Sequence, residues 1–162
     1  MYQLKNYILL VLSFSIMKFS FAQTGFKQNY FYAEIGGNGI FGSINYERQV
    51  SKQPGLGVRV GLGFYMDAIF HYTVPVGINY LLKFKGEKSF IDFGAVGTWT
   101  TNEETSIGGN QKDKGEVYGN FMINFGYRRH TSNNLNWRLN LLAVKNKYSF
   151  GPWLGASIGK GF

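Results

Sequence analysis

Hydrophobic residues alternate with small or polar residues along most of this chain. The stretch L-G-V-R-V-G-L-G-F-Y, residues 56–65, shows the alternation without a break. Its apolar positions are Leu56, Val58, Val60, Leu62 and Phe64. Because successive side chains of a β-strand point to opposite faces, a period of two predicts a strand with one apolar face and one small or polar face.

The same alternation recurs in eight segments. They span 29–37, 40–50, 56–65, 72–82, 90–100, 118–129, 135–143 and 153–162. Most have the roughly 9 to 11 residues that a tilted strand needs to cross a bilayer. Polar turns at 51–55, 83–89 and 130–134 connect some of them, and the longest connection is 101–117. An even number of strands with unlike connections predicts a closed barrel, with both chain ends at the periplasmic end and the long loop outside the cell.

The polar face distinguishes two kinds of barrel. In a lipocalin-like soluble barrel the apolar face lines the interior, whereas in an outer-membrane barrel it meets lipid. The charged residues of the polar face are three acids and three bases: Glu34, Glu47, Arg59, Asp92, Arg128 and Arg138. Because these charges cancel, we expect them to form one enclosed interior polar network. By register, all but Glu34 lie near the periplasmic ends of their strands.

The apolar face carries aromatic residues at both of its rims. Tyr46, Tyr80, Tyr127 and Trp137 gather at the predicted periplasmic rim, and Phe64, Tyr72 and Trp99 mark the other. Ile40 and Ile44 are assigned to the apolar face. Its charged members are Arg48 and Lys160, near the predicted periplasmic rim, where long cationic side chains reach lipid headgroups. Aromatic belts around an apolar band are typical of membrane proteins. The predicted fold class is therefore all-β: an eight-stranded antiparallel up-and-down transmembrane β-barrel with a closed polar interior.

The first 22 residues have the order of a secretory signal peptide. Lys5 supplies a basic start, 7–17 is an apolar run, and small residues precede the predicted cleavage site between Ala22 and Gln23. The alternative is a membrane anchor, but the run is well short of the roughly 20 apolar residues that a spanning helix needs. We therefore predict a signal peptide over 1–22 and one barrel domain over 23–162.

The amino-acid composition limits the kinds of molecule that the protein is expected to contact. The chain has no cysteine, so an exported domain of this size must be held together by something other than disulfides, and barrel closure meets that need. The 17 Lys and Arg against 9 Asp and Glu give a formal net charge of +8, which suits anionic lipid headgroups or nucleic acid. Export excludes nucleic acid, so we expect outer-membrane lipids as the contacting molecules and no cofactor.

The last 40 or so residues carry a resemblance. F-G-Y-R-R-H-T-S-N-N-L-N-W-R-L-N-L-L, followed by G-P-W-L-G-A-S-I-G-K-G-F, resembles the closing hairpin of the small eight-stranded outer-membrane β-barrel proteins of Gram-negative bacteria. The resemblance implies an outer-membrane location and a final strand that is read by the barrel-assembly machinery. We also expect a monomer. The signal residues of that final strand are Leu154, Ala156, Ile158 and Phe162. Lys160 departs from the aromatic residue often found at that position, and deletion of Phe162 is expected to impair assembly.

Two short motifs invite a chemical interpretation. G-N-G-I-F-G, residues 37–42, matches a dinucleotide-binding pattern, but that pattern needs a following helix to hold the pyrophosphate. Here the following residues alternate as a strand, so a tight hairpin is the better interpretation. Glu103, Glu104, Asp113 and Glu116 in the long loop are oxygen ligands for a divalent cation, although lysines among them favour a solvated loop face. We therefore assign no metal site.

His130 and Ser132 raise the possibility of an enzyme. H-T-S-N, residues 130–133, resembles the His-x-Ser-Asn motif of the outer-membrane lipid A deacylases, in which His and Ser act with a downstream Glu. A serine nucleophile needs a base, and the base needs an orienting acid. No Asp or Glu follows Glu116, and the motif lies in a predicted periplasmic turn.

The sequence thus favours a non-enzymatic integral outer-membrane barrel. Its predicted role is structural or surface interaction through extracellular loops, without an open pore, because eight strands enclose a lumen just wide enough for side chains. The alternatives are a lipid A-modifying hydrolase that uses His130 and Ser132, and a soluble periplasmic lipocalin-like carrier.

Overall fold

Eight antiparallel strands make up almost all of the described chain. The computed structural model describes residues 26–66, 70–100, 118–147 and 149–162. The strands are β1 Asn29–Gly36, β2 Gly42–Gln49, β3 Leu56–Met66, β4 Phe70–Lys83, β5 Ser89–Thr100, β6 Tyr118–His130, β7 Leu135–Lys145 and β8 Phe150–Gly161. The predicted signal peptide with its cleavage site at Ala22 and Gln23, and the loop 101–117, lie outside these residues.

The strands close into a barrel. Each pairs antiparallel with its neighbours in chain order, and β1 pairs with β8 from Tyr30 opposite Gly161 to Gly36 opposite Gly155. The predicted eight-stranded up-and-down barrel is therefore confirmed. We name its ends by their connections. The turn end carries 50–55, 84–88 and 131–134, and the loop end is the opposite end, where 37–41 joins β1 to β2.

Burial alternates along the strands as the sequence pattern predicts. In β3 every second residue is buried, from Gly57 to Tyr65, and the apolar residues between them are exposed. The same holds for β7, where Leu139 and Leu141 are exposed while Arg138 is buried. Charged and amide side chains therefore occupy the lumen, and the outside of the barrel is apolar.

The connection from β1 to β2 is where the prediction was wrong. Residues Gly37–Gly39 form a single 3-10 turn, and Ile40 follows with a φ of +77°. This left-handed backbone, uncommon for an isoleucine, takes the chain out of the strand alternation, so β2 begins at Gly42 and not at residue 40. Ile40 is 1% exposed and points into the lumen, not to the outer face.

A small apolar cluster fills the lumen at the loop end around Ile40. Its members are Ile40, Tyr65, Val96, Met122, Leu142 and Val144, with Trp153 packed against them. Apart from Ile40, which belongs to the β1–β2 connection, these residues lie on the inner faces of their strands. The interior is therefore polar toward the turn end and partly apolar toward the loop end. Among the described residues, no helix is long and apolar enough to cross a membrane.

Candidate functional site

Four of the predicted interior charges meet in one ionic cluster. Glu47 on β2 accepts from Arg128 Nη1 at 2.5 Å and from Arg138 Nη2 at 3.0 Å. The Asp92 carboxylate on β5 lies 3.4 Å from Arg138 Nη1 and 3.7 Å from Arg128 Nη1. All four side chains are completely buried. The structure therefore joins β2, β5, β6 and β7 across the lumen through two acids and two bases.

Register explains why this cluster needs both acids. Arg128 on β6 lies directly opposite Arg138 on β7 in the strand pairing. Two like charges opposite each other destabilise a sheet, and an uncompensated buried charge costs several kcal/mol. Glu47 and Asp92 neutralise the pair, so the four side chains form a unit with no net charge that is tolerated inside a barrel.

Neutral and aromatic groups also contact the cluster. Gln49 Nε2 and Asn79 Nδ2 donate to Glu47 Oε1 at 3.0 and 3.3 Å. The Arg128 guanidinium lies 4.4 Å from the ring centroid of Tyr30, and the Arg138 guanidinium lies 4.5 Å from that of Tyr32. These are cation–π distances, so each arginine contacts carboxylates and also an aromatic face.

Arg59 belongs to the same interior face but has a different partner. It lies opposite Glu47 in register, yet its Nη2 donates to Asn124 Oδ1 at 2.5 Å. A Cβ at Gly94 would lie 2.9 Å from Arg59 Nη2 and would also collide with the Asn124 amide. The absence of a side chain at Gly94 therefore provides the room for this hydrogen bond.

Glu34 stands apart from the other five charges and serves the loop end. Its carboxylate accepts from the Asn38 backbone N–H at 3.1 Å and from Ser43 Oγ at 3.4 Å. Thr98 Oγ1 and Thr73 Oγ1 donate to the carbonyls of Asn38 and Gly39, at 2.8 and 3.1 Å. The β1–β2 connection is thus folded into the lumen and hydrogen-bonded there. We call residues 37–40 the inner plug.

Sequence reasoning missed the inner plug. The 37–42 motif predicts a tight hairpin, and the available signals were its glycines, Asn38 between two of them, and the apolar Ile40 that follows. The pattern of apolar and polar residues does not predict the direction in which a connection folds. It therefore gave no indication that this turn enters the lumen.

The outer face presents a continuous apolar band. Large exposed side chains occur on every strand, such as Ile35 at 78%, Leu62 at 72% and Leu154 at 70%. The predicted assembly-signal residues Leu154, Ala156, Ile158 and Phe162 all face outward on or beside β8. Phe162 stacks on Phe31 with ring centroids 6.4 Å apart. The predicted rim cations Arg48 and Lys160 are also exposed.

His130 and Ser132 make separate contacts. The His130 ring lies 4.7 Å from Phe90 and 5.1 Å from Tyr30, measured between centroids. Ser132 Oγ accepts from Lys88 Nζ at 3.0 Å. Within the described residues no hydrogen bond joins His130 to Ser132, so the pair required for an activated serine is not assembled by these contacts.

A cavity of about 540 Å³ opens at the turn end. We call it the turn-end cavity. Its lining includes four lysines and one acid, namely Lys27, Lys52, Lys83, Lys88 and Glu87, together with Phe26, Tyr30, His130, Thr131, Ser132 and Asn134. A second, smaller cavity of about 310 Å³ lies at the loop end beside Ile40 and Trp153. Within the described part of the chain, no three potential ligands among His, Cys, Asp and Glu come together to hold a metal ion. The loop acids Glu103, Glu104, Asp113 and Glu116 lie outside that part.

Comparison with known proteins gives one informative match. No protein-family model and no curated protein matches this chain. The barrel is similar to the crystal structure of the N-terminal β-barrel domain of Pseudomonas aeruginosa OprF, with a TM-score of 0.59 over 83% of this chain and 96% of that chain. The sequences are 11% identical. At this identity the likeness shows the fold, which is that of a closed eight-stranded β-barrel.

Proposed function

We propose that this protein is an integral outer-membrane barrel whose role is structural or is surface interaction through its loops, without catalysis and without an open pore. The main support for the proposal is that the polar face of the barrel points inward and the apolar face points outward, the reverse of a soluble barrel. Charged side chains such as Glu47 and Arg138 are buried in the lumen, while leucines and isoleucines cover the outside.

The outward apolar face favours lipid as the medium that surrounds the barrel. Soluble monomers rarely expose apolar patches beyond a few hundred Å², whereas the apolar band here surrounds the whole barrel. A lipocalin-like carrier would require the opposite arrangement, with the apolar face lining the interior. Closure supports the same conclusion, because a barrel satisfies all its backbone hydrogen bonds internally and so tolerates hydrocarbon.

The filled lumen supports the absence of an open pore. Near the turn end the ionic cluster connects β2 to β5, β6 and β7 across the interior. Near the loop end the inner plug occupies the lumen, and Thr73 and Thr98 hold it from β4 and β5. A continuous water column would have to pass both obstacles. We therefore expect a purified sample in a planar bilayer to lack the steady conductance of a porin.

Partners and orientation follow from the same proposal. The turn end faces the periplasm and the loop end faces the cell exterior, since outer-membrane barrels have short periplasmic turns and longer extracellular loops. Outer-membrane lipids contact the apolar band, the barrel is a monomer, and the barrel-assembly machinery recognises the outward residues of β8 and Phe162.

Cell fractionation with heat-modifiable gel mobility tests the location. We expect the chain in the outer-membrane fraction, and an unheated sample that migrates differently from a boiled one because the closed barrel resists detergent. Recovery of the protein from the soluble periplasm would overturn the proposal. The assembly signal has a separate test, in which Phe162→Ala lowers the amount in the membrane but leaves folding of the purified chain into micelles intact.

A further inference from the structure

We propose that the turn-end cavity binds a small soluble polyanion that carries phosphate or carboxylate groups. This goes beyond the structural role proposed above, because the site is made by the turn end of the barrel alone; the choice of a soluble anion over a lipid headgroup rests on the proposed membrane location. Three observations support it: the charge of the lining, the buried polar atoms of two lining residues, and the size and place of the cavity at the turn end.

The lining has a strong excess of positive charge. Lys27, Lys52, Lys83 and Lys88 line the cavity with a single acid, Glu87. Within the described residues, none of these four lysines forms an ion pair. Like charges that line one cleft focus a positive field and raise the local concentration of anions.

Two residues of the lining carry buried polar atoms that have no protein partner within the described residues. Tyr30 lines the cavity, is 1% exposed, and its hydroxyl makes no hydrogen bond in the described part of the chain. His130 Nε2 is likewise buried without a partner. A buried polar group left unpaired costs free energy, and a ligand oxygen that accepts from the Tyr30 hydroxyl removes that cost. The Phe26 ring, 5.8 Å from His130 between centroids, adds an apolar contact.

Size and position select the class of ligand. A volume of about 540 Å³ lies within the roughly 300–1,000 Å³ range of small-molecule sites. Four ammonium groups suit a ligand with more than one anionic group. Phospholipids surround the outer face of a barrel, whereas Tyr30 and His130 line the interior of the ring, so a soluble anion fits this position better than a lipid headgroup.

Calorimetry on the full chain, refolded in uncharged detergent, tests the proposal with pyrophosphate and citrate as probes. We expect saturable binding that weakens with added salt, since exposed charges are screened. The variant K27Q/K52Q/K83Q removes three lining cations. The matched control K85Q/K145Q/K160Q removes three exposed cations that do not line the cavity.

The expected result is a loss of at least about tenfold in affinity for the lining variant and a change within about twofold for the control, because only nearby charges act strongly through solvent. Tyr30→Phe keeps the ring over Arg128 and removes the hydroxyl, so it is expected to weaken binding about three- to tenfold with unchanged gel mobility. Equal losses in both triple variants, or no binding of either probe, would overturn the proposal. So would binding confined to vesicles of phosphatidylglycerol, which would assign these lysines to lipid.

Discussion

At the scale of single residues, Glu47 is the centre of the ionic cluster. It accepts hydrogen bonds from two arginines and two amides, whereas Asp92 lies farther from the same arginines. Glu47→Gln leaves two buried guanidinium groups with one distant carboxylate. We expect it to lower the free energy of unfolding by about 3–5 kcal/mol, the usual effect of breaking a buried pair. Urea unfolding of the refolded protein in lipid vesicles measures this.

Two comparisons make the test specific. Asp92→Asn is expected to cost less than Glu47→Gln, because its contacts are longer. Glu87→Gln, an exposed acid in a turn, is expected to change stability by less than about 0.5 kcal/mol. If Glu47→Gln were as mild as Glu87→Gln, the cluster would not contribute to stability.

Gly94 provides a second prediction at this scale. Gly94→Ala places a methyl group against Asn124 and Arg59, so we expect a loss of about 1–3 kcal/mol from overpacking. Gly151→Ala is the matched control, since nothing lies within 4 Å of a Cβ there. Urea unfolding of the two variants under the same conditions measures the difference in their free energies of unfolding. Equal stability would contradict the packing argument.

At the scale of elements, the inner plug links the β1–β2 connection to the opposite wall of the barrel. Ile40→Ala removes a buried side chain from the apolar cluster and is expected to cost about 2–5 kcal/mol. We also expect faster hydrogen exchange at the Gly36 amide, which donates to the Phe41 carbonyl, and at the Asn38 amide, which donates to the Glu34 carboxylate. Ile44→Ala, an outward residue, serves as the control and should leave exchange at these amides unchanged.

The elements also show what a single sequence can predict. Alternation in 56–65 predicted β3 to within one residue, because a half-buried strand imprints its period on the sequence. It also placed Arg128 and Arg138 on the inner face. It did not indicate which charges pair, since that depends on the register between strands distant in sequence. The hydrogen bond of Arg59 to Asn124 was therefore not predicted. The inward position of Ile40 was not predicted either, because positive φ angles at Gly36, Gly37 and Ile40 redirect the connection.

At the scale of the whole molecule, the position of an outward residue within the apolar band predicts its depth in the bilayer. Leu139 is near the middle of β7, and Leu135 is its first residue, at the turn end; both are exposed. In a bilayer, an arginine costs about 2–4 kcal/mol at the midplane and about 0–1 near the interface. We expect Leu139→Arg to reduce insertion strongly and Leu135→Arg to reduce it little. Folding yield into vesicles measures both, and similar yields would argue against a lipid-facing band.

The pairing of β1 with β8 has a consequence for how this chain folds. Asn29 and Phe162 are separated by 133 positions in sequence, yet their groups lie within 3.5 Å. Forming such a contact requires closure of nearly the whole chain, which makes folding slow. Until that moment β1 presents an unpaired edge, the kind of edge that templates aggregation. The protein is therefore expected to need protection from aggregation between its synthesis and the closure of the barrel. Aggregation is the greatest risk in that period.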